Sequence, residues 1–476
     1  MIILEKIKEH SQDNPTKTAV IEDARQLTYA ELWQKIVNTS AYFSNMGKKG
    51  DRVILSATKN LEFVTTYFGA HLAGLITITI DPAINEDRLS FIVESTKPLG
   101  IWGELVTKKF ETNKFTDIIC DESIEPDIPS ETDIADILFT TGTTGAPKGV
   151  VLTHRNERAA ATNINTFIGN DVKSVELLAL PISHSFGLGR LRCIMQMGAT
   201  IDLLGSFANV RKFFRELDKQ PITGFGMVPA SWNYLSEMSE DLISEYADQL
   251  KYIEIGSAPM PVEQKQRLMR LLPKTRICMH YGLTEASRSA FMCFSEEDDL
   301  TTIGKASPNV ELGIFTENGQ PCKVGEQGEL CVKGDHVCSN YWGMPLEEYR
   351  KSFFGDYYRT GDWGYCNEQG KYYLVSRKKE LINVGGKKVS PLEVETVLND
   401  FPGIKESACI GVPDKMMGEV IKAYVVTEQG STVDFQELTK YARSRLEDYK
   451  IPAQIEAIDE VPKTNSGKIQ RLLLKK

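Results

Sequence analysis

One segment of the chain has residue types and a spacing that suit phosphate binding. Residues 140–148 read Thr-Thr-Gly-Thr-Thr-Gly-Ala-Pro-Lys, so four hydroxyl groups, two glycines and one lysine occupy nine positions. Glycine lets the backbone approach a ligand closely, and hydroxyl, amide and ammonium groups then donate hydrogen bonds to an anion. Hydrogen bonds to charged groups contribute roughly 1.5–3 kcal/mol each. The segment predicts a loop that holds phosphate oxygens.

Short apolar runs flank this loop at residues 137–139 and 150–152. They predict two buried strands, so that the loop joins strand to strand. A Walker A loop would run directly into a helix with Ser or Thr after its lysine, whereas Gly149 follows Lys148 here. A flexible surface turn is the alternative interpretation of this loop taken alone.

Composition and charge exclude several classes of protein. The 476 residues are 41% hydrophobic and 25% charged, which is typical of a soluble globular protein of several structural units. The 55 Lys and Arg against 65 Asp and Glu give a net charge of −10, with no bulk attraction for nucleic acid or an anionic membrane. Nine cysteines without a Cys-x-x-Cys pair, and no signal-peptide pattern, predict a reducing, cytoplasmic location. The longest uncharged run, residues 64–80, is short for a membrane span and predicts core.

Strand-like runs alternate with amphipathic stretches, which predicts an α/β fold. The predicted strands include residues 52–56, 75–80, 177–180, 251–255 and 275–279. Turn sequences between short strands predict a β-rich subdomain over residues 301–375. A charged run at 376–380 follows, so we expect a large N-terminal domain over 1–375 and a small mobile α+β domain over 376–476.

The predicted small domain carries its own helix signals. Residues 390–393, Ser-Pro-Leu-Glu, match a capping box with proline at the first helical position. Phe435, Leu438, Ala442 and Leu446 predict one apolar helix face. A large and a small domain on a short charged joint predict a hinge, with an active site between the domains.

Five further segments matter together with the phosphate loop. They are Gly-Ser-Ala-Pro at 256–259, Tyr-Gly-Leu-Thr-Glu at 281–285, Tyr-Arg-Thr-Gly-Asp at 358–362, Val-Gly-Gly at 384–386 and Pro-Lys-Thr-Asn-Ser-Gly-Lys-Ile at 462–469. With these segments, and with residues 27–32 and 50–53, the chain resembles the adenylate-forming superfamily. That superfamily comprises acyl- and aryl-CoA synthetases, adenylation domains of peptide synthetases, and luciferases. The resemblance covers nearly the whole chain in the family's motif order, and is closest to stand-alone AMP-forming acyl-CoA ligases.

The resemblance implies a role for each matching residue. The residues that would hold the ATP phosphates are Thr140, Thr141, Gly142, Thr143, Thr144, Gly145 and Lys148. The residues that would line or stack on the adenine are Gly256, Ser257, Ala258 and Tyr281, with His280 and Gly282 beside them. Thr284 would contact the α-phosphate, and Glu285 would help to hold Mg²⁺.

The resemblance also implies roles in the C-terminal part of the chain. Asp362 would accept both ribose hydroxyls, with Arg377 beside it. Lys379 resembles the hinge residue, and Gly386 would line the tunnel for a thiol. Lys468 would bridge the substrate carboxylate and the α-phosphate. Cations are needed there because a carboxylate that attacks a phosphate brings two anions together.

Each of these residues also has an ordinary structural interpretation. Taken alone, Lys468 is typical of a lysine in a solvated tail. Glu285 is typical of a carboxylate in the first turn of a helix, where it faces the helix dipole. An aspartate next to a glycine, as at Asp362, is typical of a turn. Tyr281 could equally be a core residue, and Arg377 could belong to a solvated charged face. The ordered conjunction of motifs favours the functional interpretation.

His184 marks the predicted acyl pocket, because its segment at 181–187 resembles the family segment whose histidine borders that pocket. Members of the family that activate amino acids usually carry an aspartate in this segment, which pairs with the α-ammonium group of the substrate. No acidic residue lies near His184 in the sequence. We therefore expect a carboxylic acid without an α-amino group. A packed core histidine is the alternative.

Four other residues complete the predicted pocket: Gly187, Gly224, Gly226 and Met227. The glycines of 224–226 leave room for a medium chain or a ring, unless side chains from elsewhere fill the space. His280 either narrows the pocket or meets the carboxylate. Arg190 either meets a second acidic group on the substrate or lies at the surface.

The resemblance implies two half-reactions: ATP and a carboxylic acid give acyl-AMP and pyrophosphate, and CoA then gives acyl-CoA and AMP. ATP, Mg²⁺ and CoA are the expected cofactors. An alternative acceptor is the phosphopantetheine of a separate carrier protein, and a non-catalytic nucleotide-binding regulator is a further alternative. A Ser-x-x-Lys hydrolase at 376–379 is disfavoured because Gly-x-Ser-x-Gly is absent. The sequence leaves the acid and the oligomeric state open, a homodimer included.

Overall fold

The structure is a computed structural model that describes residues 1–119, 127–140, 147–463 and 469–475. These residues form two compact units. The larger comprises Met1–Leu312 and Val332–Tyr358, and the smaller comprises Gly313–Cys331 and Arg359–Lys476. The boundary expected at 375/376 stays a prediction, since the smaller unit also takes in part of the strand-rich segment that precedes it.

The helices of the described residues are α1 (Ile3–Asp13), α2 (Tyr29–Met46), α3 (Leu61–Leu72), α4 (Glu86–Thr96), α5 (His154–Ile168), α6 (Ser185–Met197), α7 (Val210–Lys219), α8 (Pro229–Ser239), α9 (Val262–Leu271), α10 (Leu346–Arg350), α11 (Pro391–Asn399) and α12 (Phe435–Arg443).

The strands are β1 (Thr18–Glu22), β2 (Arg25–Thr28), β3 (Arg52–Ser56), β4 (Ile76–Ile80), β5 (Ile101–Trp102), β6 (Ile134–Thr140), β7 (Lys148–Thr153), β8 (Val175–Leu178), β9 (Thr200–Leu203), β10 (Gly224–Met227), β11 (Tyr252–Ile255), β12 (Arg276–Tyr281), β13 (Ala290–Cys293), β14 (Lys305–Ala306), β15 (Glu311–Phe315), β16 (Gly328–Lys333), β17 (Asn340–Tyr341), β18 (Phe353–Phe354), β19 (Tyr357–Cys366), β20 (Tyr372–Arg377), β21 (Ile382–Val384), β22 (Lys387–Val389), β23 (Ile404–Asp414), β24 (Gly418–Thr427) and β25 (Gln454–Ala457).

Two sheets build the larger unit. A nine-stranded sheet has the order β14-β13-β12-β11-β10-β8-β9-β1-β2, and a six-stranded sheet has the order β17-β7-β6-β4-β3-β5. The first sheet contains five neighbouring parallel strands, β9, β8, β10, β11 and β12. The second contains four, β5, β3, β4 and β6. Parallel strands of this kind are covered by helices on both faces, as the α/β expectation requires.

The side-chain alternation of the strands shows how the layers stack. Val53 and Leu55 of β3 belong to the same apolar cluster as helices α1, α2, α3, α5 and α6, whereas Ile54 packs with α4. On β11, Tyr252 joins that first cluster, whereas Ile253 packs with α7, α8 and α9. Because successive strand residues point to opposite faces, Glu254 lies on the same face as Tyr252, toward the shared helical layer.

The smaller unit contains the sheet β22-β21-β24-β23, with β25 beside β24 and with α11 and α12 over its apolar face. Ser390 caps α11 by accepting from the Glu393 amide, as predicted, and Leu438 and Ala442 of the predicted apolar face are buried on α12, whereas Leu446 lies beyond the end of that helix. Segment 301–375 holds β14 to β20 and one short helix, as its turn-rich sequence predicted. Part of it forms the sheet β15-β16-β19-β18, with β20 paired to β19.

Local predictions from the sequence agree with the elements to within a few residues. The predicted strand 52–56 is β3, and the strand predicted at 177–180 is β8, shifted by two residues at each end. The uncharged run 64–80 is buried core in α3 and β4, as expected. Among the described residues, no helix combines the length and the hydropathy that a membrane span requires.

Candidate active site

The predicted phosphate loop joins two antiparallel strands, as its flanks indicated. β6 pairs with β7 up to the register partners Thr140 and Lys148, and the Thr140 hydroxyl donates to the Lys148 carbonyl at 3.5 Å. Lys148 is exposed at the open end of the hairpin. Predicted phosphate-binding residues 141–145 lie outside the described residues, so the structure places only the two ends of the loop.

Tyr341 connects this hairpin to the predicted metal ligand. It lies on β17, which pairs with β7, and the Lys148 ammonium is 5.2 Å from the centre of its ring. Its hydroxyl donates to Glu285 Oε1 at 2.8 Å, and the Cys338 amide donates to the Glu285 carbonyl at 2.7 Å. A cation and a carboxylate that are 137 positions apart in the chain therefore share one patch of the larger unit.

Glu285 has the donor atoms that a magnesium ion requires. Its side chain is half-buried, and only Oε1 is hydrogen-bonded to a described residue. Mg²⁺ binds to one or two carboxylate oxygens and completes its shell with water and phosphate oxygens. Glu285 Oε2 fits that role, and a bound Mg²⁺ would supply positive charge beside the triphosphate.

The predicted adenine-binding residues follow neighbouring parallel strands. β11 and β12 are paired in register, so Gly256, Ser257 and Tyr281 come together at the carboxyl ends of these strands, where ligands of open α/β sheets bind. Ser257 has φ +73°, a left-handed conformation that non-glycine residues rarely adopt and that concentrates at functional sites. Tyr281 is nine-tenths buried.

Gly256 and His280 are tightly matched. A Cβ atom on Gly256 would lie 2.1 Å from His280 Cε1, so only glycine fits beside the imidazole. The His280 side chain is 7% exposed, its ring stands edge-on to Phe186, and its Nδ1 lies 2.6 Å from Glu254 Oε1. Burial lowers the pKa of His280, although Glu254 opposes the shift. Both sequence interpretations of His280, that it narrows the pocket or that it meets the carboxylate, stay predictions.

A buried ion network lies behind this histidine. Arg190 Nε donates to Glu176 Oε1 at 2.8 Å, and its Nη1 donates to Glu254 Oε2 at 3.0 Å. Arg288 Nε donates to Glu254 Oε1 at 3.0 Å. Two guanidinium groups thus balance two carboxylates in a region without solvent exposure. The surface position considered for Arg190 is wrong, since its guanidinium is fully buried and bound to glutamates of the protein.

The predicted acyl pocket differs from the sequence expectation in its glycines. A Cβ on Gly224 would lie 2.5 Å from the Tyr252 ring, and one on Gly226 would lie 2.8 Å from Leu180 Cδ1. Both spaces are therefore filled by side chains from elsewhere, the alternative that the sequence left open. Gly187 is needed for packing, because a Cβ there would lie 2.3 Å from a backbone carbonyl, and Met227 belongs to the core.

His184 is at the surface. It is the N-cap residue of α6 and is exposed, so the packed-core interpretation is wrong. The next residue, Ser185, borders a small cavity of about 20 Å³ that also reaches Thr284. The cavity wall thus includes the neighbour of His184 in the chain and the residue predicted to contact the α-phosphate.

Residues that sequence reasoning missed form the remainder of this cavity wall. They include Glu157 of α5, Arg192 of α6, Arg288 and His336. Arg288 has φ +56°, a second left-handed non-glycine residue within the candidate site. Glu157 and Arg192 lie on helices that follow the phosphate loop and the segment 181–187, but outside the motif residues themselves, so no motif indicated them.

The smaller unit holds the predicted ribose-binding pair. Asp362 and Arg377 are register partners on β19 and β20, and Arg377 Nε lies 2.7 Å from Asp362 Oδ1. Asp362 is 3% exposed, so it is a strand residue rather than a turn residue. Lys379 is exposed in the turn after β20, and Gly386, with φ +82°, lies in the turn between β21 and β22. Lys468 lies outside the described residues.

Family comparison identifies the class of protein that this fold and site define. Residues 7–342 match the family described as AMP-binding enzyme, and residues 393–468 match the AMP-binding enzyme C-terminal domain. The chain therefore belongs to the AMP-binding enzyme family, and the expected membership of the adenylate-forming class, as an enzyme, is confirmed.

Individual relatives match along almost their whole length. The chain is 30% identical to a long-chain-fatty-acid–CoA ligase of Bacillus subtilis. The alignment is 514 positions long and covers 96% of this chain and 91% of the relative. It is 28% identical to a 2-succinylbenzoate–CoA ligase of Bacillus licheniformis, over 98% of each chain. The crystal structure of o-succinylbenzoate CoA synthetase from Bacillus subtilis with its acyl-adenylate intermediate matches with a TM-score of 0.89 at 27% identity, over 99% of this chain and 98% of the other. ATP-bound MatB from Rhodopseudomonas palustris matches with a TM-score of 0.90 at 25% identity, over 100% and 98%.

Proposed function

We propose that this protein is an AMP-forming carboxylic acid–CoA ligase. The observation that carries the proposal is the convergence of Lys148 and Glu285 on Tyr341, at the open end of the phosphate-loop hairpin. This arrangement supplies a cation for a triphosphate and a carboxylate for Mg²⁺ in one place. Related structures contain ATP with a magnesium ion, and an acyl-adenylate.

In the first half-reaction, a carboxylate oxygen of the acid forms a bond to the α-phosphorus of ATP. The bond between the α-phosphorus and the bridging oxygen breaks, and pyrophosphate leaves. We propose that Thr284 contacts the α-phosphate and that Lys468 offsets the charge brought together by the two anions. Glu285 would hold Mg²⁺, which would neutralise part of the negative charge of the phosphates.

In the second half-reaction, the CoA sulfur forms a bond to the acyl carbonyl carbon, and the carbon–oxygen bond to AMP breaks. AMP is a good leaving group, which is why the inert carboxylate is adenylated first. We propose that the C-terminal domain predicted over residues 376–476 rotates at Lys379 between the two steps and that Gly386 then lines the path of the thiol. Lys468 serves only the first step.

CoA is the proposed acceptor because the named relatives are CoA ligases. A carrier protein presents the same pantetheine thiol and is the second candidate acceptor. We further propose a reducing, cytoplasmic location, which the free thiols of the described cysteines support.

The test separates the two half-reactions. With Mg·ATP and a panel of carboxylic acids, hydroxylamine traps acyl-AMP as a hydroxamate, and added CoA yields the thioester. We expect Lys468→Ala to lose pyrophosphate release and to retain thioester formation from a supplied acyl-adenylate. Equal loss of both steps contradicts the rotation, and absence of hydroxamate with every acid contradicts the ligase. A phosphopantetheinylated carrier in place of CoA decides the acceptor.

A further inference from the structure

Arg288 joins three segments of the candidate site. It lies near the end of the loop 282–289 between β12 and β13, and it is 1% exposed. Its Nη1 donates to the Ser185 carbonyl and its Nη2 to the Phe186 carbonyl, both at 3.0 Å. Its Nε donates to Glu254 Oε1, also at 3.0 Å. One guanidinium group therefore connects that loop with the start of α6 and with β11.

The loop is tightly folded in front of Arg288. The Leu283 amide donates to the Ala286 carbonyl at 3.0 Å, and the Ala286 amide donates back to the Leu283 carbonyl at 3.2 Å. Thr284 lies within this closed turn. A Cβ atom on Gly282 would lie 2.4 Å from the Arg288 amide nitrogen, so the two ends of the loop are in direct contact. A shift of Arg288 would therefore move the turn that carries Thr284.

The connection is equally close on the side of α6. A Cβ atom on Gly189 would lie 2.6 Å from Arg288 Nη1, so the helix backbone passes directly beside the guanidinium. The guanidinium carbon is also 4.7 Å from the centre of the Phe186 ring. Ser185 follows His184, the residue predicted to border the acyl pocket. Arg288 thus binds to the backbone of the segment that is expected to hold the acid.

These contacts require a guanidinium group rather than a positive charge alone. The carbonyl oxygens of Ser185 and Phe186 accept from two different nitrogens of one planar group, and its third nitrogen serves Glu254. Lysine has a single nitrogen on a flexible stem and cannot reproduce this fork. A lysine in place of Arg288 would keep the charge that balances Glu254 and lose the fixed spacing between the segments.

The two connected segments have different tasks in the proposed reaction. Thr284 is proposed to contact the α-phosphate, whereas the segment of His184 is proposed to hold the acid. The first half-reaction forms a bond between a carboxylate oxygen and the α-phosphorus, so its rate depends on how these two ligands are aligned. A misplacement of about 1 Å costs about a hundredfold in rate. In acyl-AMP the two ligands are already joined covalently, so the second half-reaction does not depend on this alignment.

We propose that Arg288 is a positioning residue for the first half-reaction, which fixes the acyl-pocket segment against the loop that contacts the α-phosphate. This inference rests on the proposed ligase function. Each ligand still binds to its own segment when the connection is lost. The maximal rate of pyrophosphate release should therefore fall, whereas the concentrations of ATP and acid for half-maximal rate should change little.

The experiment measures both half-reactions on the same preparation of each variant. Hexanoate and benzoate, a chain and a ring, are tested with Mg·ATP for pyrophosphate release in a single turnover. The matching acyl-adenylate is then supplied with CoA, and thioester formation is measured. The ratio of the two rates does not depend on the folded fraction. We expect Arg288→Lys to lower this ratio about a hundredfold, with the half-saturating ATP concentration within about threefold of the wild type.

Gly189→Ala tests the same contact without changing a charge. Its added Cβ atom would lie 2.6 Å from Arg288 Nη1, so it displaces the guanidinium from the two carbonyls. We expect the ratio to fall about tenfold, because the displacement is smaller than the loss of the fork. If Arg288→Lys yields no folded protein, Gly189→Ala decides the question through the same ratio.

Arg190→Lys is the matched control. Arg190 is fully buried and shares the Glu254 carboxylate, and its other hydrogen bonds to described residues go to the side chains of Glu176 and Tyr252. The change therefore weakens the same ion network without removing a hydrogen bond to the backbone at 185–186. We expect its ratio to stay within about threefold of the wild type, since the alignment is retained.

The outcomes are separable. An unchanged ratio in both Arg288→Lys and Gly189→Ala overturns this inference while the ligase stands. An equally large fall in Arg190→Lys overturns it as well, because the effect then belongs to the ion network as a whole. Absence of pyrophosphate release by the wild type with hexanoate, benzoate and every other acid of the panel overturns the proposed function, and this inference with it.

Discussion

Tyr341→Phe tests how Glu285 is positioned. The change keeps the aromatic ring 5.2 Å from the Lys148 ammonium and removes the hydroxyl that donates to Glu285 at 2.8 Å. A hydrogen bond to a charged acceptor contributes roughly 1.5–3 kcal/mol. If that energy orients the carboxylate toward Mg²⁺, its loss raises the Mg²⁺ concentration for half-maximal pyrophosphate release by about 10- to 150-fold.

Tyr358→Phe is the matched control for this prediction. The Tyr358 hydroxyl lies 2.8 Å from that of Tyr341, which is the hydroxyl that donates to Glu285. Because Tyr341 gives its proton to Glu285, Tyr358 is the donor in this second bond, which is neutral and contributes only about 0.5–1.5 kcal/mol. We expect a shift of at most about tenfold in the Mg²⁺ requirement.

The assay is a Mg²⁺ titration of pyrophosphate release at saturating ATP and acid, with thermal unfolding measured for each variant. A correctly folded Tyr341→Phe protein with the Mg²⁺ requirement of the wild type would refute the assigned role. So would a shift that is equally large in the Tyr358→Phe control.

Three further predictions concern the buried polar groups. Glu254→Gln should lower the free energy of unfolding of the larger unit by about 3–5 kcal/mol in urea titrations, because it leaves buried cations without their partner; a loss below about 1 kcal/mol contradicts the network. Gly256→Ala should abolish acyl-AMP formation through the clash with His280, and the added change His280→Gly should restore part of it; failure of this rescue argues against the contact. Burial lowers the pKa of His154 to about 3 and that of His336 to about 4, so the stability they contribute is complete above about pH 6.5 and is lost as pH falls below it, by about 1.4 kcal/mol per imidazole at pH 5.5. His336→Phe should make the dependence of unfolding free energy on pH shallower, and an unchanged slope would contradict a neutral buried ring.

Much of the architecture could be predicted because its signals are local. The apolar runs on both sides of the phosphate loop specify β6 and β7, and the capping serine at 390 specifies the start of α11. The family resemblance, and no local signal, implied that Arg377 lies beside Asp362. Their pairing follows from two strands that meet in antiparallel register, which positions residues 15 apart in the chain opposite each other.

The misjudged features depend on long-range packing. The space beside Gly224 is filled by Tyr252 of the neighbouring strand, 28 residues later, and nothing in the sequence around the glycine indicates it. Arg190 is buried because Glu176 and Glu254 reach it from β8 and β11. An arginine is ordinarily a surface residue, so only the partners reveal that its charge is compensated inside the fold.

The class of chemistry could be inferred from residue types and their order along the chain, because a threonine-rich loop, a Thr-Glu pair after a strand and a lysine-bearing tail occur together in the family's order. The surroundings of these motifs emerge only from the folded chain. Tyr341 beside Glu285, and Glu157 and His336 on one cavity wall, join segments more than 50 residues apart. The physical reason is that a hydrogen-bond partner is chosen by distance and desolvation in the folded chain, and neither quantity is encoded in the local sequence around a motif.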